Sequence, residues 1–222
     1  MGEEVFADRR DAGRRLARLL GEYGGREDVV VLGLARGGIP VAFEVARALE
    51  APLDVFTVRK IGVPGQEELA MGAIASGGAV VMNYAVADEL GISSVRFDLQ
   101  AERASVELER RERAYRGDRP PLRIEGRTVI LVDDGLATGT TMRASVRAVR
   151  ELGPARLVVA VPTATASACR EVAAIADDVV CVSIPQHRYA VSQSYDDFAQ
   201  TTDDEVRALL AAAADGQDDP AF

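Results

Sequence analysis

The stretch Val129-Ile-Leu-Val-Asp-Asp-Gly-Leu-Ala-Thr-Gly-Thr-Thr141 carries the clearest structural signal in this chain. Its first four residues are apolar, which predicts a strand buried on both faces, as the strands of parallel sheets are. Two carboxylates follow at the carboxyl end of that strand, and a turn rich in Gly and Thr leads into a predicted helix at 142–152. A strand, a tight turn and a helix in this order form one βα unit of an α/β protein.

Similar βα units precede and follow this stretch. Apolar runs rich in β-branched residues predict strands at 29–34, 53–58, 128–132, 157–161 and 179–183. Helical periodicity predicts further helices at 5–23, 41–49, 96–116, 164–176 and 203–214. We therefore predict an α/β fold with a doubly wound, mainly parallel sheet in one domain over residues 1–214. Its core is expected at about 25–60 and 126–184, and residues 215–222 are expected to form a disordered tail.

Two segments interrupt the βα pattern. Residues 61–91 contain many glycines and only a short apolar stretch at 79–82, so we interpret them as a loop or hairpin excursion. Residues 185–202 are polar and aromatic, and we expect them to form a small subdomain, here called the hood.

The composition narrows the classes of partner. The chain has 222 residues and a formal net charge of −9, which disfavours nucleic acid or an anionic membrane as the main partner. No apolar run reaches the roughly 18 residues that a membrane helix needs, and the acidic N-terminus does not resemble a secretory signal. A cytoplasmic location is expected. Cys169 and Cys181 lack C-x-x-C spacing, so we expect reduced, buried thiols rather than a disulfide or a metal site.

The turn after the strand at 128–132 has the chemistry of a phosphate site. Backbone NH groups at a helix N-terminus bind anions, and the hydroxyls of Thr138, Thr140 and Thr141 add donors. The turn lacks the lysine that a Walker A loop requires. Asp133 and Asp134 would repel a phosphate unless they held something beside it, and carboxylates accept hydrogen bonds from a sugar diol. The predicted ligand is therefore a ribose 5-phosphate group, with a simple turn cap by the two carboxylates as the alternative.

This motif resembles the signature of the type I phosphoribosyltransferases, and the resemblance covers about residues 5–210. It implies that the chain binds 5-phosphoribosyl 1-pyrophosphate (PRPP). By position, the ribose and the 5-phosphate would be bound by Asp133, Asp134, Gly135, Ala137, Thr138, Gly139, Thr140 and Thr141. The turn after the strand at 29–34 resembles the family's pyrophosphate loop. Pyrophosphate would be bound by Ala35, Arg36, Gly37, Gly38 and Lys60, and the catalytic residues would be Asp133, Asp134, Arg36 and Lys60.

Lys60 is the only lysine among the 26 basic residues. It closes the predicted strand at 53–58, where the family often has a basic residue near pyrophosphate, although a single lysine can also arise by chance. The glycine-rich segment 61–78 resembles the family's mobile loop, which closes over the reacting centre and excludes water. A plain surface excursion is the alternative for this segment.

A narrower resemblance concerns the acceptor. Residues 60–74, 185–190 and 195–206 look like a subgroup of predicted phosphoribosyltransferases without an assigned acceptor, in which Gly and Trp are frequent where this chain has Ser192 and Ser194. The hood is therefore expected to differ here. Three aromatic residues of the hood can either stack on a flat base or pack the subdomain: Tyr189, Tyr195 and Phe198. The single histidine, His187, is a candidate acid or base, with a structural or surface role as the alternative.

The resemblance implies transfer of the 5-phosphoribosyl group from PRPP to a nitrogen acceptor, such as a nucleobase, with release of pyrophosphate. Mg²⁺ would be held mainly by ligand oxygens and water, with Asp133 and Asp134 as candidate protein ligands. A homodimer is the oligomeric state that the family suggests. A non-catalytic regulatory protein that senses PRPP is the alternative function, whereas a dehydrogenase is disfavoured because G-x-G-x-x-G does not follow the first strand.

Overall fold

The computed structural model describes residues 5–186 and 190–216, except for the side chains of Glu67, Glu68 and Ala85. In chain order the elements are α1 (Arg9–Leu19), β1 (Val29–Leu34), α2 (Gly38–Leu49), β2 (Leu53–Phe56), β3 (Val58–Val63), β4 (Gln66–Ala75), β5 (Val80–Met82), α3 (Tyr84–Glu89), α4 (Ser94–Arg116), β6 (Thr128–Val132), α5 (Thr140–Glu151), β7 (Arg156–Thr163), α6 (Ala166–Ala173), β8 (Asp178–Ser183) and α7 (Asp203–Asp215). Short 3₁₀ turns lie at Gly21–Tyr23, Ser76–Gly78 and Val191–Ser194.

A five-stranded parallel sheet forms the centre of the fold, with the strand order β2-β1-β6-β7-β8. The chain adds β2 on one side of β1 and adds β7 and β8 on the far side of β6. The strand order therefore reverses between β1 and β6, and at such a switch point the loops after both strands face one crevice. The prediction of an α/β fold with a doubly wound, mainly parallel sheet is confirmed.

Helices cover both faces of this sheet. Residues of α1, α2 and α7, such as Leu16, Val45 and Leu209, form one buried core against it. Residues of α5 and α6, such as Met142 and Val172, form the second core on the other face. All residues of β1 and of β6 are buried, as their apolar sequences predict, because a strand between two helical layers has no exposed face.

The segment predicted as a loop or hairpin excursion forms a three-stranded antiparallel sheet, in the order β3-β4-β5. Helix α4 packs on it through Phe97 and Leu108, which join Ile61 and Met71 in a separate core. The glycines of this segment do not require a loop, as Gly72 in the strand β4 shows. A Cβ there would lie 2.7 Å from the Val81 carbonyl oxygen and 2.9 Å from the Phe97 ring, so this glycine allows a close approach inside a strand.

Several predicted boundaries differ from those of the structure. The predicted strand at 53–58 ends at Phe56, so residues 58–60 belong to the small antiparallel sheet rather than to the parallel core. The first helix begins at Arg9, because the Asp8 side chain accepts a hydrogen bond from the NH of Asp11 at 2.7 Å and caps the helix. Helix α5 begins at Thr140, which brings the last two threonines of the stretch at 129–141 into its first turn.

The hood packs on α1. Phe6, which precedes α1, pairs with Tyr195 in an isolated parallel bridge, and both join Ala12 in a small apolar core. The predictions for His187 and Tyr189, and most of the predicted tail, lie outside the described residues.

In the part of the chain that the structure describes, no helix has the length and apolarity needed to cross a bilayer. Cys169 and Cys181 form no disulfide in the described part of the chain. Both are only partly buried, so the prediction of buried thiols is wrong in that respect. A hydrogen bond from the Cys181 side chain lowers the pKa of the Cys169 thiol.

Candidate active site

The loop after β6 is held in place by the neighbouring strand β7. The NH of Leu136 donates to the Thr163 carbonyl, and the Leu136 carbonyl accepts from the NH of Thr165, both at 2.9 Å. The Thr165 hydroxyl donates to the Ala137 carbonyl at 2.8 Å and also caps α6. These bonds use the inward-facing backbone groups of the loop and fix its course.

The outer part of the same loop has the geometry of an anion site. Gly139 adopts φ +69° and directly precedes α5, whose first-turn NH groups have no partner within the helix. The side chains of Thr138, Thr140 and Thr141 are exposed around these NH groups, with 3.3 Å between the hydroxyl oxygens of Thr138 and Thr140. Backbone NH groups and hydroxyls at a helix N-terminus are suited to a phosphate monoester.

Asp133 and Asp134 lie at the carboxyl end of β6, between this loop and the one after β1. Asp133 Oδ1 accepts a hydrogen bond from the NH of Asp134 at 2.9 Å. Burial raises the pKa of Asp133 well above its usual range, and the charge of Asp134 adds to the rise. Burial also raises the pKa of Asp134, while the Arg9 guanidinium opposes that rise. Hydroxyl donors or a cation bound between the two adjacent carboxylates would stabilise their ionised forms in this environment.

Arg9 is a residue of the site that the sequence did not indicate. Its Nε donates to Asp134 Oδ2 at 2.9 Å, its Nη1 donates to the Ala199 carbonyl at 2.6 Å, and its guanidinium lies 3.9 Å from the centroid of the Phe198 ring. The side chain is only 12% exposed. Arg9 therefore connects α1, the acidic pair and the hood. Its helix contains several other arginines, and only the contact across the fold distinguishes it.

The loop after β1 lies directly against the acidic pair. A Cβ on Gly37 would be 2.1 Å from Asp134 Oδ2, and a Cβ on Gly38 would be 2.7 Å from the Val132 carbonyl oxygen. The peptide bond between Ala35 and Arg36 is cis. The two glycines thus allow the backbone of this loop to approach the carboxylates, and the structure brings together the two loops that the sequence selected separately.

The two predicted basic residues of the pyrophosphate site occupy different places. Arg36 lies in the loop after β1, and its Nη1 is 3.7 Å from Asp203 Oδ1 at the start of α7. Lys60 lies in β3, opposite Ala73 of β4, with an exposed side chain. The prediction that Lys60 closes the second strand of the core is wrong, because that strand ends at Phe56.

The described aromatic residues of the hood pack within the subdomain. Tyr195 is 6% exposed, with ring centroids 5.4 Å from Phe6 and 4.9 Å from Phe198. Its hydroxyl donates to the Asp134 carbonyl at 2.6 Å, and burial raises the pKa of that phenol. Of the two predicted uses of these rings, the geometry shows packing. Their use as stacking surfaces for an acceptor stays a prediction.

The positions that depart from the subgroup pattern also lie in the hood. Ser194 is buried, with its hydroxyl oxygen 3.0 Å from that of Thr163, whereas Ser192 is exposed. Val191 of the hood lies close to Gly135, since a Cβ added to Gly135 would be 2.6 Å from Val191 Cγ1. The hood therefore covers the edge of the sheet beside the acidic pair.

A metal ion at this site would have few protein ligands. Over residues 5–186 and 190–216, no group of three or more His, Cys, Asp or Glu side chains could hold a metal. Asp133 and Asp134 supply carboxylate oxygens, one of which already accepts from Arg9. This donor set fits Mg²⁺, which keeps several waters and takes most of its other ligands from substrate phosphates.

Comparisons of the sequence with protein families and with known proteins find phosphoribosyl transferases and PyrR proteins. A family model described as a phosphoribosyl transferase domain matches residues 3–199. The chain is similar to a Mycobacterium tuberculosis (strain H37Rv) protein named provisionally as a phosphoribosyl transferase, with 45% identity over 210 residues, or 95% of this chain and 47% of that protein. It is 30% identical over 174 residues to the "Bifunctional protein PyrR" of Roseiflexus sp. (strain RS-1), which is 72% of each chain.

Among solved structures, the crystal structure of a Thermus thermophilus protein resembles the chain with a TM-score of 0.80 and 45% sequence identity, over 94% of this chain and 98% of that one. The fold described above is therefore shared along almost the whole of both chains. By contrast, the chain spans about half the length of the curated relatives from Mycobacterium tuberculosis.

Proposed function

This chain belongs to the phosphoribosyl transferase domain family, and we propose on that basis that it transfers the 5-phosphoribosyl group of PRPP to a nitrogen acceptor. This match confirms the family that the sequence motif at 129–141 resembles. In the proposed reaction, the bond from C1 to pyrophosphate breaks, and pyrophosphate leaves with the electron pair. A bond from the acceptor nitrogen to C1 forms, and the nitrogen releases its proton to solvent.

The observation that supports this proposal most directly is the approach of the two loops around one acidic pair. Gly37 lies against the Asp134 carboxylate, while Thr138 lies exposed in the loop that follows the acidic pair and leads into α5. In the proposed complex, the loop after β6 binds the 5-phosphate, and Asp133 and Asp134 accept hydrogen bonds from the ribose hydroxyls. Arg36 would then face the leaving pyrophosphate.

The protein needs to orient its ligands and exclude water more than to supply a nucleophile. Bond cleavage at C1 leaves a cationic sugar, so carboxylates held near the ribose favour that charge. Mg²⁺, when bound, would neutralise charge on the pyrophosphate oxygens, and Asp133 and Asp134 are the residues proposed to hold it. PRPP and a small nitrogen acceptor, with a nucleobase as the expected class, are the proposed partners. A cytoplasmic location and a homodimer remain expectations.

A PRPP-sensing protein without turnover is the second candidate function. The packing of Tyr195 favours it, because this ring is only 6% exposed and packs against Phe6 and Phe198. The partly buried Phe198 ring is contacted by the Arg9 guanidinium, 3.9 Å from its centroid. Such a protein would bind Mg-PRPP at the same loops and release no pyrophosphate with any acceptor.

The two candidates are separated by measuring pyrophosphate release from Mg-PRPP across a panel of nucleobases, beside PRPP binding by calorimetry. The double variant Asp133→Asn/Asp134→Asn is expected to lose both signals, because amides cannot replace two carboxylates toward a diol and a cation. Asp118→Asn, at an exposed carboxylate outside the site, is the matched control. Acceptor-dependent release supports the transferase, binding without release supports the sensor, and no binding by the wild-type protein contradicts both.

A further inference from the structure

Three polar side chains surround one carboxylate oxygen, Oδ1 of Asp203, two of them from α4 and one from the loop after β1. The Tyr115 hydroxyl donates to it at 2.6 Å. The Nη1 of Arg36 lies at 3.7 Å and the Nη2 of Arg111 at 3.8 Å from the same oxygen. Arg111 also donates from Nε to the Tyr115 hydroxyl at 3.0 Å. The loop after β1, α4 and α7 thus meet at one negative charge beside the candidate site.

The carboxylate of Asp203 is not required to begin α7. The cap of that helix is Thr202, whose hydroxyl accepts a hydrogen bond from the NH of Glu205 at 3.1 Å. Asp203 is 49% exposed, so it is not a buried ion pair whose removal would leave unpaired charge in the core. The position of the Asp203 carboxylate is therefore explained by Arg36, Arg111 and Tyr115 around it rather than by the capping of α7.

The geometry around Asp203 suits a larger anion than a carboxylate. Neither guanidinium reaches Oδ1 within hydrogen-bond distance, because both separations exceed 3.5 Å. Guanidinium groups form strong, paired hydrogen bonds with phosphate oxygens, which are spread over a wider volume than the two oxygens of Asp203. The Tyr115 ring is buried in the same core as residues of α2 and α7, so its hydroxyl is a donor with a fixed position.

We propose that Arg111 and Tyr115 join Arg36 in binding the diphosphate group of the ligand, and that Asp203 occupies this place until the ligand displaces it. The inference rests on the proposed function, because Arg36 lies in the loop assigned there to pyrophosphate. It adds two residues of α4 and a competing carboxylate that sequence motifs do not indicate. Ligand binding would exchange one negative charge for another among the same donors and would release Asp203 to solvent.

The test is calorimetric titration of inorganic pyrophosphate with Mg²⁺, performed with ribose 5-phosphate already bound so that the loop after β6 is occupied. Arg111→Gln is expected to weaken pyrophosphate binding about tenfold, since it removes a charge-assisted donor. Asp203→Asn is expected to strengthen it about fivefold, because removal of an exposed competing charge is worth about 1 kcal/mol at most. Neither variant should change the affinity for ribose 5-phosphate.

Adjacent residues supply matched controls. Arg110→Gln removes an arginine of α4 that pairs with Glu107, and Asp204→Asn removes a carboxylate of α7 that pairs with Arg207, so both should leave pyrophosphate affinity unchanged. Tyr115→Phe is a second test variant rather than a control. It keeps the buried ring and removes only the hydroxyl, so it should weaken pyrophosphate binding without misfolding. A structural role for Asp203 would weaken binding on substitution, whereas the proposal requires a gain.

Each outcome has a distinct meaning. Unchanged pyrophosphate affinity in Arg111→Gln and Asp203→Asn, with both ligands bound by the wild-type protein, would overturn this inference alone. Equal losses for pyrophosphate and ribose 5-phosphate would also overturn it, because they would indicate a general disturbance. Binding of pyrophosphate without ribose 5-phosphate, with the expected changes in the variants, would uphold the anion site and contradict the proposed function. Binding of neither ligand would overturn both.

Discussion

The loop after β6 and the loop after β1 have the same place in the fold but differ in what surrounds them. Each follows a buried parallel strand, and the two strands are neighbours. The loop after β6 presents the hydroxyls of Thr138 and Thr140 to solvent. The loop after β1 lies under the Asp134 carboxylate, and its Arg36 pairs with Asp203. One loop is thus open to a phosphate, whereas the other already faces carboxylates of the protein.

This difference indicates an order of ligand contacts. The open loop can bind a phosphate without rearranging any ion pair, because its donors are backbone NH groups and hydroxyls. The occupied loop gains a ligand only by exchange with Asp203. The 5-phosphate is therefore expected to bind independently of the diphosphate group, and substitutions in the two loops should have separable effects.

Among single substitutions, the largest effect is expected from Gly37→Ala, which would remove the close approach of the two loops. The new Cβ would be 2.1 Å from Asp134 Oδ2, so either the loop or the carboxylate must move. We expect about a hundredfold loss of PRPP affinity, equivalent to about 3 kcal/mol and typical of severe overpacking. Gly21→Ala, where a Cβ would meet no atom within 4 Å, is the control. Full affinity in Gly37→Ala would show that the observed approach is not needed for binding.

The next largest effect is expected from Arg9→Gln, which would leave Asp134 without its cation. Loss of a charge-assisted hydrogen bond in a largely buried place costs about 2 kcal/mol, so PRPP affinity should fall about thirtyfold. Arg9→Lys should recover only part of this loss, because an ammonium cannot contact Asp134, Ala199 and the Phe198 ring together. Calorimetry provides the measurement. Arg10→Gln, which affects the pair with Glu44 instead, should bind as the wild type does.

Gly139→Ala tests the open loop alone. Gly139 has φ +69°, and its Cβ would lie 3.3 Å from that of Ala168, so alanine is strained there by about 1–2 kcal/mol. Ribose 5-phosphate affinity should fall about tenfold, while pyrophosphate affinity stays constant. Gly126→Ala has a similar φ of +72° with no atom within 4 Å, and should lose stability without losing affinity. Equal ligand affinities in the two variants would count against the phosphate assignment.

The smallest effect concerns stability and the acidic pair between the loops. Because burial raises the pKa of Asp133 in the folded state, the folded protein holds the proton more tightly than the unfolded chain. The stability that this proton contributes is present below the unfolded pKa of about 3.9 and is lost as pH rises through the folded pKa. Asp133→Asn should therefore raise the melting temperature at pH 7 by about 3 °C, or about 1 kcal/mol, without ligand. The gain should vanish near pH 3, and a gain independent of pH would contradict the explanation by ionisation.

Particular residues show how far local patterns extend. The strands β1 and β6 have the predicted bounds, because an apolar, β-branched run between helical segments has one stable place in an α/β fold. The small antiparallel sheet falls largely in the segment predicted as a loop or hairpin excursion, and its paired strands agree with the hairpin alternative. Its glycines do not require a loop, because a glycine such as Gly72 also occurs where two chain segments touch. The thiols of Cys169 and Cys181 are predicted to be buried, but Cys181 lies in the edge strand β8 and Cys169 in α6, and both remain partly exposed.

Periodicity and short motifs are sufficient to specify the parallel core, the two loops and the acidic pair, because they act over neighbouring residues. The contact of Arg9 with Asp134, 125 positions away, and that of Tyr115 with Asp203, 88 positions away, exist only in the folded chain. The chain has 26 basic residues, and no local pattern distinguishes an arginine that faces solvent from one that packs against a site. That choice depends on which surfaces the helices bring together, and therefore on packing over the whole fold.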